Sequence, residues 1–302
     1  MLERPTGLAA AYLLAKTAVT DWIEDRATSR GAAIAYYTTF SLAPLLLLVI
    51  SIAGLVWGQE ATQGAVVEQL RALTGPAGAR AVEAMIESAA DRDAGVIATA
   101  VSIGLLVLGA TTVFAELQDA LNHLWNAPPA KRSGLWSWLR TRLLSFSLII
   151  AFGFILLVSL TVSTLITALS RHLGSGILEL GLLFEAAHLG LSLLITATLF
   201  AAIYKILPDV RISWRDVGIG AGITAILFHI GKYLISIYLG FSNVASSYGA
   251  AGALVIVLVW VYYSTQVFLL GAEFTRAYAF TYGSRRAEGT ARRRDPAKER
   301  TL

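Results

Sequence analysis

From Ala32 to Trp57 the chain runs for twenty-six residues without a formal charge. About 20 apolar residues are enough to cross a bilayer core as a helix, so this segment makes the membrane the solvent that the fold must satisfy. Windows of the same kind recur near 95–115, 143–170, 180–204, 217–239 and 252–274. Together they predict an all-α, polytopic membrane protein with six transmembrane helices. Composition excludes the soluble alternative: 56% of residues are hydrophobic, 15% are charged, and the mean hydropathy is +0.65. The chain has no cysteine, which removes disulfides, thiolate chemistry and cysteine-held metal or iron–sulfur centres. No cofactor is expected.

Lysine and arginine sort by loop. The arm before the first window, the loop 116–142, the loop 205–216 and the tail after the last window hold nineteen of the twenty-four. The opposite set holds only Arg71, Arg80, Arg92 and Arg171, with Lys232 inside a window. Positive residues stay inside, so both termini are expected in the cytoplasm. Residues 1–31 carry charges on both sides of a modest apolar run, which does not resemble a cleavable signal.

Three regions flank the spans of a membrane domain at 32–280. The arm, 1–31, has apolar residues at Leu8, Tyr12, Ala15, Val19, Trp22 and Ile23, with Asp21, Glu24, Asp25 and Arg26 gathered at one end. That spacing suits a helix along the inner interface, or equally one packed on other cytoplasmic loops. The outer loop 58–94 reads as two short helices broken at Gly75-Pro76, a cap held by Leu70, Leu73, Val82, Met85 and Ile86. The tail, 281–302, carries Arg292-Arg293-Arg294 and suits a disordered segment against anionic headgroups.

Several residues exceed what a span needs. Tyr36 and Tyr37 lie about 6–8 Å inside the cytoplasmic entry of the first span, and Pro44 about 18 Å. Interfacial anchoring accounts for the tyrosines, while Ser41 and Pro44 have no such reason, and proline removes a helix hydrogen bond. Glu116, Asp119 and His123 share one face of a helix, as either a metal site or a solvated, salt-bridged surface. Pro208 ends the fourth span, and Trp214 marks the interface before the fifth. The Gly218-to-Gly222 spacing lets a neighbouring helix approach closely. Glu273 falls about 31 Å along the sixth span, at its inner boundary, with Arg276 as the natural partner.

The costliest groups are deeper. Glu185 and His188 in the fourth span, and Lys232 in the fifth, reach similar depths in the outer half, with His229 just below. An intramembrane ionisable group is a functional candidate. These four predict a polar, water-accessible cavity between spans four and five, or else a structural ion pair with lysine snorkelling outwards.

Six ordered blocks across residues 25–282 carry a family likeness. They are Ala35-Tyr36-Tyr37 with Phe40-Ser41-Leu42 and Pro44; Glu116-Leu117-Gln118 with Ala120-Leu121-Asn122 and Trp125; and Leu207-Pro208-Asp209-Val210 with Trp214. The others are Tyr248-Gly249-Ala250-Ala251-Gly252, Trp260-Val261-Tyr262-Tyr263-Ser264 and Gly271-Ala272-Glu273-Phe274. The sequence resembles the YihY/BrkB family of bacterial inner-membrane proteins, once labelled ribonuclease BN. The resemblance implies a six-helix inner-membrane protein and links it loosely to envelope lipid handling, with no catalytic residue to carry over.

Nuclease chemistry needs clustered carboxylates or positioned acid–base pairs near a basic groove. The arginine-rich tail lacks interleaved aromatics for stacking bases, so no specific nucleic acid is expected. No enzymatic activity is expected either. A transporter or lipid-translocase reading, with membrane lipids as partners and a lipid or small solute as substrate, draws on the proline, the glycines and the buried charges. A non-transporting scaffold for envelope assembly is the alternative, and it predicts a closed bundle with Lys232 paired and dry.

Overall fold

A computed structural model describes residues 7–89, 112–128, 178–241 and 252–288, and the regular elements among them are helices. These are α1 (Leu8–Glu24), α2 (Ala27–Trp57), α3 (Gln59–Ala89), α4 (112–124), α5 (Leu178–Ile206), α6 (Trp214–Phe241) and α7 (Gly252–Thr281). Three stretches are long and apolar enough to cross a membrane: Ala186–Ile206, Trp214–Leu239 and Gly252–Thr281. They coincide with the windows at 180–204, 217–239 and 252–274. The window at 143–170, most of that at 95–115, Tyr248 and Gly249, and the arginine run of the tail lie outside the described residues.

The arm divides earlier than its charges suggest. Arg26 adopts a left-handed conformation (φ 51°, ψ 42°), and α2 begins at Ala27, so residues 27–31 belong to the span helix. Charge reports solvent, whereas backbone continuity depends on where the hydrogen-bond ladder breaks. Here it breaks at Arg26, whose N–H bonds Ile23 O at 3.2 Å. Inside α2 the polar residues satisfy themselves: Thr39 Oγ1 donates to Ala35 O at 2.7 Å and Ser41 Oγ to Thr38 O at 3.1 Å. The helix runs unbroken past position 44. The Pro44 side chain lies outside the described residues. Tyr36, Tyr37 and Phe40 are exposed, and the Tyr36 ring meets Tyr37 edge-on at 5.6 Å and Phe40 at a tilt, with centroids 4.8 Å apart.

The segment after Gly58 corrects the expectation of two short capping helices. It is one helix of 31 residues with Pro76 inside it. Proline costs about 3 kcal/mol in a helix interior, a local penalty that burial on both sides of it offsets, at Val67 before and at Ala81, Val82 and Ile86 after. Ala81, Val82 and Ile86 share a buried cluster with Ala35, Ile50, Leu239, Ile256, Val257 and Val261. The helix therefore packs on the flanks of α2, α6 and α7 rather than over the end of the bundle. The side chains of Leu70, Leu73 and Met85 are outside the described residues.

α6 and α7 meet through notches. A Cβ at Gly220 would overlap the Thr275 hydroxyl, one at Gly231 the Tyr263 hydroxyl, and one at Gly271 the Thr224 and Tyr204 hydroxyls. Lipid supplies no hydrophobic drive between helices, so close packing and buried hydroxyl bonds hold the seam. The buried Tyr204 donates to Phe268 O at 2.7 Å and lies 3.3 Å from Thr224 Oγ1, which joins α5 to the same seam. Gly218 and Gly222, expected to be the close approach, have nothing near them among the described residues. The intervening Gly220 is the one that meets a helix. Gly231→Leu is expected to force α6 away from Tyr263 and lower stability by about 1–3 kcal/mol. In a detergent-unfolding titration Gly222→Ala should lie within about 0.5 kcal/mol of wild type.

Candidate functional site: a charged junction at the inner end of the bundle

Asp21 and Asp25 stand four residues apart, so the arm points two carboxylates the same way at its junction with α2. They meet the last helix. On α7, Glu273 and Arg276 are three residues apart and share a face. Arg276 Nη1 lies 3.2 Å from Glu273 Oε2, 3.5 Å from Asp25 Oδ2 and 3.6 Å from Asp21 Oδ2. Glu273 has 0% exposure, and its Oε1 has no hydrogen-bond donor.

α4 closes the junction from another side. Its Leu121 and Leu124, with Trp125 just after its end, are fully buried in a core with Ala27, Tyr204, Ile212, Val217, Leu269 and Ala272. That packing fixes the polar face. His123 Nε2 lies 3.8 Å from Asp25 Oδ1, and Arg30 Nη1 of α2 donates to Asp119 Oδ2 at 3.0 Å. Of the two readings of this face, the structure bears out the solvated, salt-bridged surface at Asp119, which is 74% exposed and pairs with Arg30, and at His123, which is half-exposed and faces Asp25. Among the described residues no three histidines, aspartates or glutamates converge as a metal would require.

The 207–213 loop is clamped to α4 by reciprocal bonds. Asn122 Nδ2 donates to Asp209 Oδ2 at 2.9 Å, Asp209 N donates to Asn122 Oδ1 at 2.8 Å, and Gln118 Nε2 reaches Asp209 Oδ2 at 3.2 Å. Lys205 donates to Ile212 O and sits 5.6 Å over the exposed Trp214 ring. On α6 the buried Asp216 accepts from Ser284 N at 2.9 Å and Ser284 Oγ at 2.6 Å, which pins the turn after α7. Between loop and turn lies an open cavity of about 580 Å³, lined by Asp209, Arg211, Ser213, Ser284, Arg285 and Glu288 among others. Arg285 pairs with Glu288 at 2.7 Å, so the charges lining this groove include internally matched ones.

Three family-like blocks thus converge: Glu116 to Trp125 with Asn122, Leu207 to Trp214 with Pro208 and Asp209, and Gly271 to Phe274 with Glu273. Tyr36, Tyr37, Ser41 and Tyr263 lie further along the bundle. Asp21, Asp25, Arg30 and Asp216 were not among the predicted site residues. The one available signal was the four-residue spacing of Asp21 and Asp25 beside a span.

The deeper candidate cluster is only partly assembled. His229 Nε2 lies 3.0 Å from Ser192 Oγ, and its Nδ1 lies 2.9 Å from Ala225 O. A carbonyl can only accept, so Nδ1 carries a proton, and in the neutral ring Nε2 accepts from Ser192. His188 is exposed and Lys232 is half-buried. Glu185, the carboxylate expected at their depth, has its side chain outside the described residues.

The family model described as virulence factor BrkB matches residues 18–297. A UPF0761 membrane protein of Tolumonas auensis is 30% identical over 207 residues, covering 66% of this chain and 62% of that protein. One of Vibrio parahaemolyticus is 28% identical over 261 residues, covering 84% and 78%. Another, of Pseudomonas aeruginosa, is 27% identical over 254 residues, covering 83% of this chain and 59% of its own length. The chain therefore spans about three fifths of two of these three relatives. No solved structure matches. With its helices apolar enough to span a bilayer and a match covering nearly the whole chain, this protein is a membrane protein of the BrkB family.

Proposed function

We propose that this protein is a transporter or lipid-translocase-like component of the bacterial inner membrane, with six spans, both termini cytoplasmic and no enzymatic activity. The observation that carries the reading is the buried Glu273, whose carboxylate shares one arginine with two further carboxylates at the inner end of a spanning helix. Burying a charge at the end of a spanning helix is costly, and an ionisable group held there is a functional candidate. The charge bias of the loops supports the orientation. Membrane lipids are the proposed partners, with anionic headgroups at the basic tail, and a lipid or small solute is the proposed substrate.

Reconstitution tests this reading. Purified protein in liposomes, assayed for lipid scrambling and for ion flux, should show one of the two, with the rate reduced at least tenfold in Glu273→Gln. Silence in both assays from folded wild-type protein would favour the scaffold for envelope assembly. That second reading has its own support in the closely notched α6–α7 seam and in His229, both of whose ring nitrogens are bonded.

A further inference from the structure

The loop between α5 and α6 and the turn after α7 border the open cavity of about 580 Å³, within the range of about 300–1,000 Å³ that small-ligand sites occupy. Both segments adjoin ends of spanning helices, and the exposed Trp214 follows the lining residue Ser213, so the cavity lies at a membrane surface whichever way the chain is oriented. Its charges are of two kinds. Arg285 and Glu288 satisfy each other, through Nε at 3.1 Å and Nη2 at 2.7 Å. Asp209 and Arg211, two residues apart, both line the cavity, yet neither forms an ion pair among the described residues. Gln118 and Asn122 both donate to Asp209 Oδ2, and Oδ1 is left without a donor among the described residues. On the positive side, Arg285 Nη1 is buried with no acceptor. Ser213 Oγ accepts from Arg215 N at 3.3 Å and keeps its own proton to donate. A carboxylate oxygen calls for a cation, and two guanidinium groups with a hydroxyl call for an oxyanion. Plain phosphate would meet Asp209 as a like charge, and a plain amine would meet Arg211. One ligand that carries both charges a short distance apart answers both.

We infer that this cavity binds a phosphoethanolamine group, with its phosphate on Arg211, Arg285 and Ser213 and its ammonium on Asp209. The binding groups are held before the ligand arrives. Glu288 fixes one edge of the Arg285 guanidinium, and the Phe280 ring lies 5.2 Å from it. Asp209 is fixed by Asn122, whose Oδ1 also accepts from Asp209 N at 2.8 Å. The site is separate from the Glu273 junction and requires no transport. Two molecules carry this chemistry: phosphatidylethanolamine in the adjoining leaflet, and soluble phosphoethanolamine. The place beside an exposed interfacial tryptophan favours the lipid.

Native mass spectrometry of the full-length protein in detergent, titrated with short-chain lipids, tests the assignment. Phosphatidylethanolamine should bind saturably and about tenfold more tightly than phosphatidylglycerol, which lacks the cation, or phosphatidylcholine, whose cation has no N–H to donate. Arg211 is exposed and makes no hydrogen bond among the described residues, so Arg211→Gln should fold as wild type. It should weaken phosphatidylethanolamine and phosphatidylglycerol alike, by about tenfold. Asp209→Asn should erase the preference for phosphatidylethanolamine over phosphatidylglycerol. If Asp209→Asn does not accumulate, N-acetylated phosphatidylethanolamine on the wild type reads the same contact, and loss of the ammonium must cost the same factor. Soluble phosphoethanolamine separates the sources: binding about tenfold weaker than the short-chain lipid assigns the lipid, and equal binding keeps the site and assigns the soluble ester. Equal affinity for the three lipids, tighter binding of phosphatidylglycerol, a preference that survives Asp209→Asn or N-acetylation, or binding unmoved by Arg211→Gln would each overturn the site.

Discussion

Replacing Arg276 by glutamine is expected to cost about 3–5 kcal/mol of stability, because removing one partner of a buried ion pair leaves the other charge uncompensated. Here the loss is compounded, since one guanidinium serves Glu273, Asp25 and Asp21 together. The full range applies because Glu273 is completely buried and the Arg276 side chain is only 15% exposed. Lower folded yield and an earlier midpoint in a detergent-unfolding titration would report it. The second arm of the cycle tests the cause. In a Glu273→Gln background the buried charge is already gone, so Arg276→Gln should cost about 1 kcal/mol or less, the range of pairs whose carboxylates reach solvent. Equal losses in both backgrounds would show that Arg276 contributes through packing instead of charge.

Trp125→Ala should be comparably damaging, at about 3–5 kcal/mol, the usual cost of emptying a large aromatic site. Trp125 is 1% exposed and belongs to the inner core that holds α4 against α5, α6 and α7, with the Phe280 ring 6.3 Å away. It lies beyond the apolar windows, where water rather than lipid is the reference solvent, so the hydrophobic term applies in full. The expected signature extends past stability. With α4 loosened, the Asn122–Asp209 clamp and the Arg30–Asp119 bond lose their register. Hydrogen exchange in the 207–213 loop should therefore rise alongside the earlier unfolding midpoint. Trp125→Phe, which keeps most of the volume, should recover more than half of the loss. A Trp125→Ala variant with a wild-type midpoint would show that α4 does not depend on this core.

Much of the helical plan was legible because hydrophobic length is a local property. α5, α6 and α7 fall on apolar windows that composition alone picks out, and the pairing of Glu273 with Arg276 follows from three-residue spacing on one helix. Local signals also misled. Gly75-Pro76 is a breaker by propensity, yet α3 passes through it, because tertiary burial of residues such as Val82 and Ile86 outweighs one missing backbone bond. Residues 27–31, counted with the arm by their charge, belong to the span helix, because the left-handed turn at Arg26 places the boundary earlier. The GxxxG spacing pointed to Gly218 and Gly222, while the facing helix set the contact at Gly220, Gly231 and Gly271.

The sequence by itself determined that the bilayer is the solvent, where three spanning helices run, and which family the chain belongs to. Periodicity and hydropathy report a residue's own helix and nothing of what faces it. Only the tertiary structure decided that Asp25, on the arm, would meet Arg276, 251 residues later. It also decided that the helix expected as an outer cap would pack along the bundle's flank, and that Asn122 would hold Asp209. These are long-range pairings, selected by which faces can be buried together, and a helix carries no local mark of its partner. The three carboxylates around one guanidinium are therefore a property of the folded junction, absent from any single stretch of chain.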